Sequence, residues 1–455
     1  MSNPLPKGFV RSAAALALPI ALQNLLTSCA SLIDTAMIVP LGNSAVAAIG
    51  VAGRFTFLLN VIAFGFCSGS ATLISQFWGV EDRRGIHHSY GVALSASMVL
   101  AILYAAVLRF CPAYCVAIFG PEHDVAALAE EYLKILACAV PFMMFSQVTC
   151  AALRATEKVS VPLVSSLLSV VVNTALNYCL IAGHFGFPAM GVRGAAMATL
   201  IGAVTQAVIV LLFLIFGRNA VRAPVRETFG FSGAFAAKFA RTAAPVLLNE
   251  SMWAIGTNVY VMVLARQSTE DYSGYAIFET VQQLFFVFFV GICHASAIMV
   301  GKAAGRGDRE DAYGIARRFL FITPLAGIVL GAILIAVRNP LLSLFDIETA
   351  GARATASALL CFYGAWIGFR MISYTSICGI FRAGGDTRIG CLYDVGTLYA
   401  LGIPMVCLAG LMLHLPFVWI VMIMFMAEDI PKSILCVRHF LQKKWIRQLT
   451  ADHIE

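Results

Sequence analysis

The stretch Asn24-Leu25-Leu26-Thr27-Ser28-Cys29-Ala30-Ser31-Leu32-Ile33-Asp34 lies inside an apolar run from about Ala13 to Val39. About 20 predominantly apolar residues suffice for a helix to cross a bilayer, so the run reads as a membrane span. At 100° per residue, Asn24, Thr27, Ser31 and Asp34 share one narrow face of that helix. A carboxylate deep in a membrane helix costs about 2.5–3.5 kcal/mol on insertion scales, so it needs a partner, a proton or an ion. Polar glue between membrane helices usually comes from Ser, Thr, Asn or Gln. Asp34 is therefore the leading functional candidate.

The rest of the chain is of the same character. It has 455 residues, 60% hydrophobic and 12% charged, against roughly 25% charged in a soluble domain. That composition excludes a soluble enzyme, and long unbroken apolar runs exclude an outer-membrane barrel of short alternating strands. The fold class expected is an all-α polytopic membrane protein. Runs bounded by charge or Gly/Pro predict twelve helices, near 12–39, 46–78, 87–110, 125–153, 160–183, 191–217, 236–265, 273–302, 312–337, 352–381, 388–411 and 416–438. Lys7 and Arg11 ahead of Leu26-Thr27-Ser28-Cys29 imitate a lipoprotein signal. The internal repeat described next spans that point, so the first helix is expected to be retained.

A shift of 226 residues aligns Pro19 with Pro245, Gly65 with Gly291, Ser70-Ala71 with Ser296-Ala297, Gly79 with Gly305, Asp82-Arg83 with Asp308-Arg309 and Phe119 with Phe345. A shift of 228 superposes Leu153-Arg154-Ala155 on Phe381-Arg382-Ala383. Helices 1–6 and 7–12 are thus two copies of one six-helix unit, and an even number per copy makes the repeat parallel. The domains expected are an N-terminal lobe (1–217), a basic cytoplasmic linker with the start of helix 7 (218–241), a C-terminal lobe (236–440) and a cytoplasmic tail (441–455). The linker, with Arg218, Arg222, Pro224, Arg226, Lys238 and Arg241, reads as a solvated connection.

Charge orients the bundle. The N-terminus, the loops after even-numbered helices and the C-terminus hold 23 of the 31 Lys and Arg, so both termini are expected to be cytoplasmic by the positive-inside rule. The net charge of +7 is topological and implies no nucleic-acid partner. The thirteen cysteines read mostly as small packing residues, with Cys111 and Cys115 the one close pair open to a disulfide.

The polar stripe of helix 1 recurs in helix 7, where Glu250, Trp253, Thr257 and Tyr260 stand 226 residues after Asn24, Thr27, Ser31 and Asp34. Each half therefore carries one acid at a different depth, which argues for different jobs. Asn173 and Asn177 in helix 5 share a face at i,i+4 and suit holding a proton or coordinating a bare cation beside an acid. Thr199 in helix 6 is of the same sort. Glu279 with Gln282 and Gln283 in helix 8, Arg370 in helix 10 and Asp394 in helix 11 lie too deep to snorkel. With Asn249 and Glu250 they read as a buried, charge-compensated cluster that lines or gates a substrate cavity. Arg54 is a possible counter-charge for Asp34. His87-His88 and His294 read as structural, and Glu428 and Asp429, just before Pro431, as facing the headgroups. No phosphate loop occurs, so uphill movement requires an ion gradient, and no metal-ligand spacing is present.

These residues together resemble the multidrug and toxic compound extrusion (MATE) family. The resemblance rests on twelve helices as two sixes and on Ala17-Leu18-Pro19 followed fifteen residues later by Asp34. It also rests on Gly79-Val80-Glu81-Asp82-Arg83, Gly305-Arg306-Gly307-Asp308, Phe381-Arg382-Ala383-Gly384-Gly385-Asp386-Thr387 and Asn249-Glu250-Ser251-Met252-Trp253. It implies two lobes forming a V in the inner membrane. The implied activity is antiport of organic, usually cationic amphipathic compounds against H⁺ or Na⁺, with no cofactor beyond that ion and no obligatory protein partner. Asp34 would be the coupling carboxylate, Asn173 and Asn177 its partners, and Pro19 the kink of helix 1. The best-known branches carry an acid at one of the two helix 5 positions, where this chain has Asn. Another branch has an acid near Met371, and this chain does not. The alternative is a flippase of lipid-linked sugars or related lipids, which would need a more basic cavity. An intramembrane enzyme would need a nucleophile–base or metal set that the chain does not display.

Overall fold

The computed structural model describes residues 8–345, 347 and 349–450. Twelve long helices make up most of it: α1 Phe9–Ile38, α2 Asn43–Gly79, α3 Arg83–Phe110, α4 His123–Ala155, α5 Ser160–Ala182, α6 Val192–Phe216, α7 Gly233–Leu264, α8 Thr269–Gly305, α9 Arg309–Leu342, α10 Ala350–Phe381, α11 Thr387–Met412 and α12 Phe417–Leu441. Each expected span is present as a helix. Ten are long and apolar enough to cross a membrane, and the two others are α7 and α12. The exceptions have a physical cause: α12 carries Glu428, Asp429 and Lys432 in its interior, and α7 carries Asn249 and Glu250.

The repeated Gly…Asp-Arg motif has a structural meaning. Asp82 caps α3 by accepting the Gly85 N–H at 3.0 Å, and Asp308 caps α9 by accepting the Asp311 N–H at 2.9 Å. Each such cap contributes about 1 kcal/mol to helix formation. Gly79 and Gly305 end the preceding helices at close backbone approaches, to the Lys302 and Gln76 carbonyls respectively, where a Cβ would collide.

The chain divides into two compact units, residues 22–74 with 81–240, and residues up to 21 with 75–80 and 241 onward. The expected boundary, a clean cut in the 218–241 linker, misses two exchanges. Residues 8–21 belong with the second unit because Phe9 meets Phe319 edge-on at 5.4 Å and the Ala17 carbonyl lies against Gly291. The end of α2 belongs there too, since Gln76 donates to the Ala383 carbonyl at 2.9 Å and accepts the Leu449 N–H at 2.8 Å. Helix α1 runs unbroken through Pro19, and the division falls just beyond it.

In the first unit α3 packs on α4, α4 on α6 and α5 on α6. The linker is more than a solvated connection. Ala220, Val221 and Thr228 are buried, and His87 of α3 reaches Glu227 Oε1 at 3.0 Å and the Ala220 carbonyl at 3.0 Å. Each ring nitrogen thus faces an oxygen. That hydrogen bond holds the Glu227 carboxyl below its ordinary pKa. In the second unit α8, α9, α10 and α12 enclose a core that includes Phe278, Phe289, Leu359, Tyr363 and Phe425. All thirteen thiols are free, Cys111 and Cys115 included.

Candidate functional site

Two buried polar centres stand out, one in each unit. In the first, α1 presents Asp34 to α5. Asn177 Nδ2 donates to Asp34 Oδ1 at 2.6 Å. With its amide turned so that both atoms are satisfied, Asn173 donates to the same oxygen at 2.9 Å and accepts the Thr199 backbone N–H at 3.2 Å. Helix α6 comes this close because Gly202 has no side chain; a Cβ there would stand 3.1 Å from that of Asn173. The Thr199 hydroxyl donates to the Ala195 carbonyl, and the phenol of Tyr132 on α4 lies beside it. Tyr132, which sequence reasoning missed, thus joins the centre.

No base neutralises Asp34 among the described residues; its side-chain partners are the amides of Asn177 and Asn173. Arg54, considered as a counter-charge, is exposed and makes no ion pair with it there. The buried Oδ1 of Asn177 has no donor, although that residue is 1% exposed. A carboxylate and an orphan amide oxygen form a set of oxygens that would accept a proton or a small cation.

The remainder of the α1 stripe does not join Asp34. Thr27 is exposed and returns its hydroxyl to the Gln23 carbonyl at 3.0 Å, Ser31 is exposed and Asn24 is half-buried. The neighbouring face makes the polar contacts instead: Gln23 donates to Ser166 at 2.9 Å and accepts from Arg154 at 3.3 Å, and Gln206 donates to Ser166 at 3.1 Å.

The second centre is larger and charged. Glu250 on α7 pairs with Arg382 at 2.7 Å, and Asp394 on α11 pairs with Lys432 on α12 at 2.7 Å. Lys432 also binds Glu428 one turn back along α12. Arg370 on α10 pairs with Asp429 at 3.3 Å and lies over the Phe425 ring, while the Trp366 indole donates to the same Asp429 oxygen at 3.0 Å. Asn249 donates to Asp394 at 3.0 Å, linking α7 to α11. Tyr260, the repeat counterpart of Asp34, is buried and donates to Glu428.

This centre corrects several expectations. Glu428 and Asp429 do not face the headgroups; they are 5% and 1% exposed and paired. Glu279 and Gln283 are exposed on α8, and Trp253 is 36% exposed. Of the expected cluster, Glu250, Arg370 and Asp394 are brought together with Asn249. Arg382 was missed because it follows α10 in a loop-like Arg-Ala-Gly-Gly run. Wide π-helical turns over Thr375–Phe381 carry the chain to it, and such turns are frequent at functional sites. The Glu428-x-x-x-Lys432 spacing was the available signal for the α12 pair.

Comparison with known proteins agrees with the repeat. A family model described as MatE matches residues 19–179 and 245–408. The two matches begin at Pro19 and Pro245, the same 226-residue offset found within the chain. The probable multidrug resistance protein NorM of Thermotoga maritima is 24% identical over 97% of this chain and 94% of its own length. The probable multidrug resistance protein NorM of Rhizobium meliloti is 28% identical over 73% and 71%. A crystal structure of MATE in complex with MaL6 superposes with a TM-score of 0.84 at 18% identity, covering 98% of this chain and 97% of that one. The chain, a multi-pass membrane protein, belongs to the MatE family, the transporters that its sequence resembles.

Proposed function

We propose that this protein is a secondary antiporter that exports organic, cationic amphipathic compounds across the inner membrane, both termini cytoplasmic, in exchange for H⁺ or Na⁺. The observation that carries the reading is Asp34, an intramembrane carboxylate held by two amides and no base, beside the unpartnered oxygen of Asn177. Such a group can gain and lose a positive charge without stranding a counter-ion. The names of its relatives, probable multidrug resistance proteins, support the substrate class.

Coupling follows from differential binding. Facing outward, Asp34 takes up the ion, its hold on the Asn177 amide changes, and α1 bends near Pro19 as the substrate leaves. Facing inward, the ion departs, and the bare carboxylate favours a cationic substrate. The flippase reading loses ground because the deep bases Arg370, Arg382 and Lys432 are all taken by carboxylates, leaving them poorly disposed to bind a pyrophosphate lipid.

The test is efflux of a fluorescent organic cation from cells lacking their own pumps. Wild type and Asp34→Asn are compared at matched expression, with and without a proton uncoupler and with Na⁺ replaced by K⁺. Loss of efflux in the mutant and under one ion condition is expected, and it names the ion. Wild-type rates from Asp34→Asn would overturn the assignment.

A further inference from the structure

Where α7 and α11 begin side by side, they leave a groove of about 560 Å³. Its floor is apolar, formed by Ala244, Pro245, Leu248, Cys391 and Leu392, and its rim carries Arg241 and Arg388. We propose that this groove binds an anionic phospholipid from the Lys- and Arg-rich side of the membrane. Its phosphate would sit between the two guanidinium groups and an acyl chain would lie along Leu248 and Leu392.

Four observations carry the assignment. Both arginines are exposed, and neither makes an ion pair among the described residues. Asp386, two residues before Arg388 in the chain, does not offset it, because it is buried and already held by His439 at 3.0 Å and Arg447 at 3.1 Å. Both helices are odd-numbered and start on the same side, which places the rim at headgroup depth and the floor among acyl chains. There, each basic residue adds about 1 kcal/mol of attraction to an anionic leaflet.

The fourth observation is the repeat. At the positions that the 226- and 228-residue shifts assign to Arg241 and Arg388, the first half has Ala15 and Ser160. The arginines are therefore no requirement of the shared scaffold. An arginine rim also repels the cationic compounds proposed as cargo, so the groove suits a lipid better than the substrate. A lipid seated there touches Pro245, the counterpart of Pro19, one turn before Asn249 and Glu250, and so bears on α7, which with α11 links groove and charged centre.

The experiment titrates the purified full chain with phosphatidylglycerol or phosphatidylcholine of the same acyl chains and counts bound lipid by native mass spectrometry. Phosphatidylglycerol is expected to bind at least tenfold more tightly. R241Q and R388Q should each weaken it about fivefold, the double variant about 25-fold, with phosphatidylcholine unchanged. L248Q should weaken both lipids. Retained Tm and monomer mass in the double variant keep loss of fold out of the result. Equal binding of the two lipids, or a phosphatidylglycerol preference that survives R241Q/R388Q, would overturn the proposal. So would displacement by glycerol 3-phosphate at lipid-equivalent concentration, which would mean a free phosphate site. A concentration-dependent dimer abolished by the same substitutions would also overturn it, making the groove a contact between copies. The readout is binding, so it stands whether or not the antiport reading does.

Discussion

In residues 22–240 one acid, Asp34, rests on Asn177 and Asn173 and meets no base. In residues 241–450 four acids, Glu250, Asp394, Glu428 and Asp429, share Arg370, Arg382 and Lys432. The two regions descend from one repeated unit, and Tyr260 even occupies the position equivalent to Asp34. They differ in what a change of charge would do. Amides tolerate a carboxylate or a carboxylic acid, since each can donate or accept. A buried ion pair tolerates neither loss, because the surviving partner stays charged in a poorly solvated place. The first arrangement suits a switch and the second a lock.

The contrast can be broken most forcefully at Lys432. Lys432→Met leaves Asp394 and Glu428 without their base, and we expect a destabilisation of about 3–5 kcal/mol, seen as a large fall in Tm or in folded yield. Wild-type Tm would show that the second centre is no lock. The matching change in the first region, Asp34→Asn, removes charge without stranding a counter-ion. Its Tm should stay much closer to wild type than that of Lys432→Met, while cation efflux falls to the background of empty cells.

A finer distinction comes from Asn177→Ala. Loss of one hydrogen bond to a charged group is worth about 1.5–3 kcal/mol. We expect the coupling-ion concentration for half-maximal efflux to shift at least tenfold, with fold retained. An unshifted half-point would leave Asn177 a packing residue. The smallest effect should be that of Glu227→Gln, which cuts the exposed side of the His87 contact. Glu227 has its pKa lowered by His87, so the stability it adds is present above the unfolded Glu pKa and is lost as pH falls through the lower folded value. Wild type and mutant should therefore differ slightly at pH 7 and converge at acid pH, measured as Tm against pH.

Most of the fold was legible because a membrane span advertises itself by length and apolarity, and because the 226-residue offset repeats its helix-ending glycines and capping aspartates. Asp34 with Asn173 and Asn177 was legible for the same reason in reverse: polar atoms at helical spacing inside an apolar run have few explanations. The α12 acids were misread because Pro431 and the nearby end of the last span imitate a headgroup boundary. What buries them is Lys432 meeting Asp394 from α11, a tertiary fact without local periodicity. Tyr132 was invisible, since a tyrosine near the end of a span is ordinarily an interfacial anchor. The exchange of residues 8–21 between units was equally hidden, for it depends on Phe319 and Gly291, hundreds of residues away.

That exchange has a consequence for how the protein is made. Phe9 leaves the ribosome 310 residues before Phe319, the ring it packs against. At ordinary elongation rates the interval is roughly 15–60 s. Throughout it the first turns of α1 are synthesised without their partners, whereas residues 22–74 and 81–240 draw their unit from chain already made. The start of the chain is thus among the last parts to find its place, because its partners belong to the second repeat.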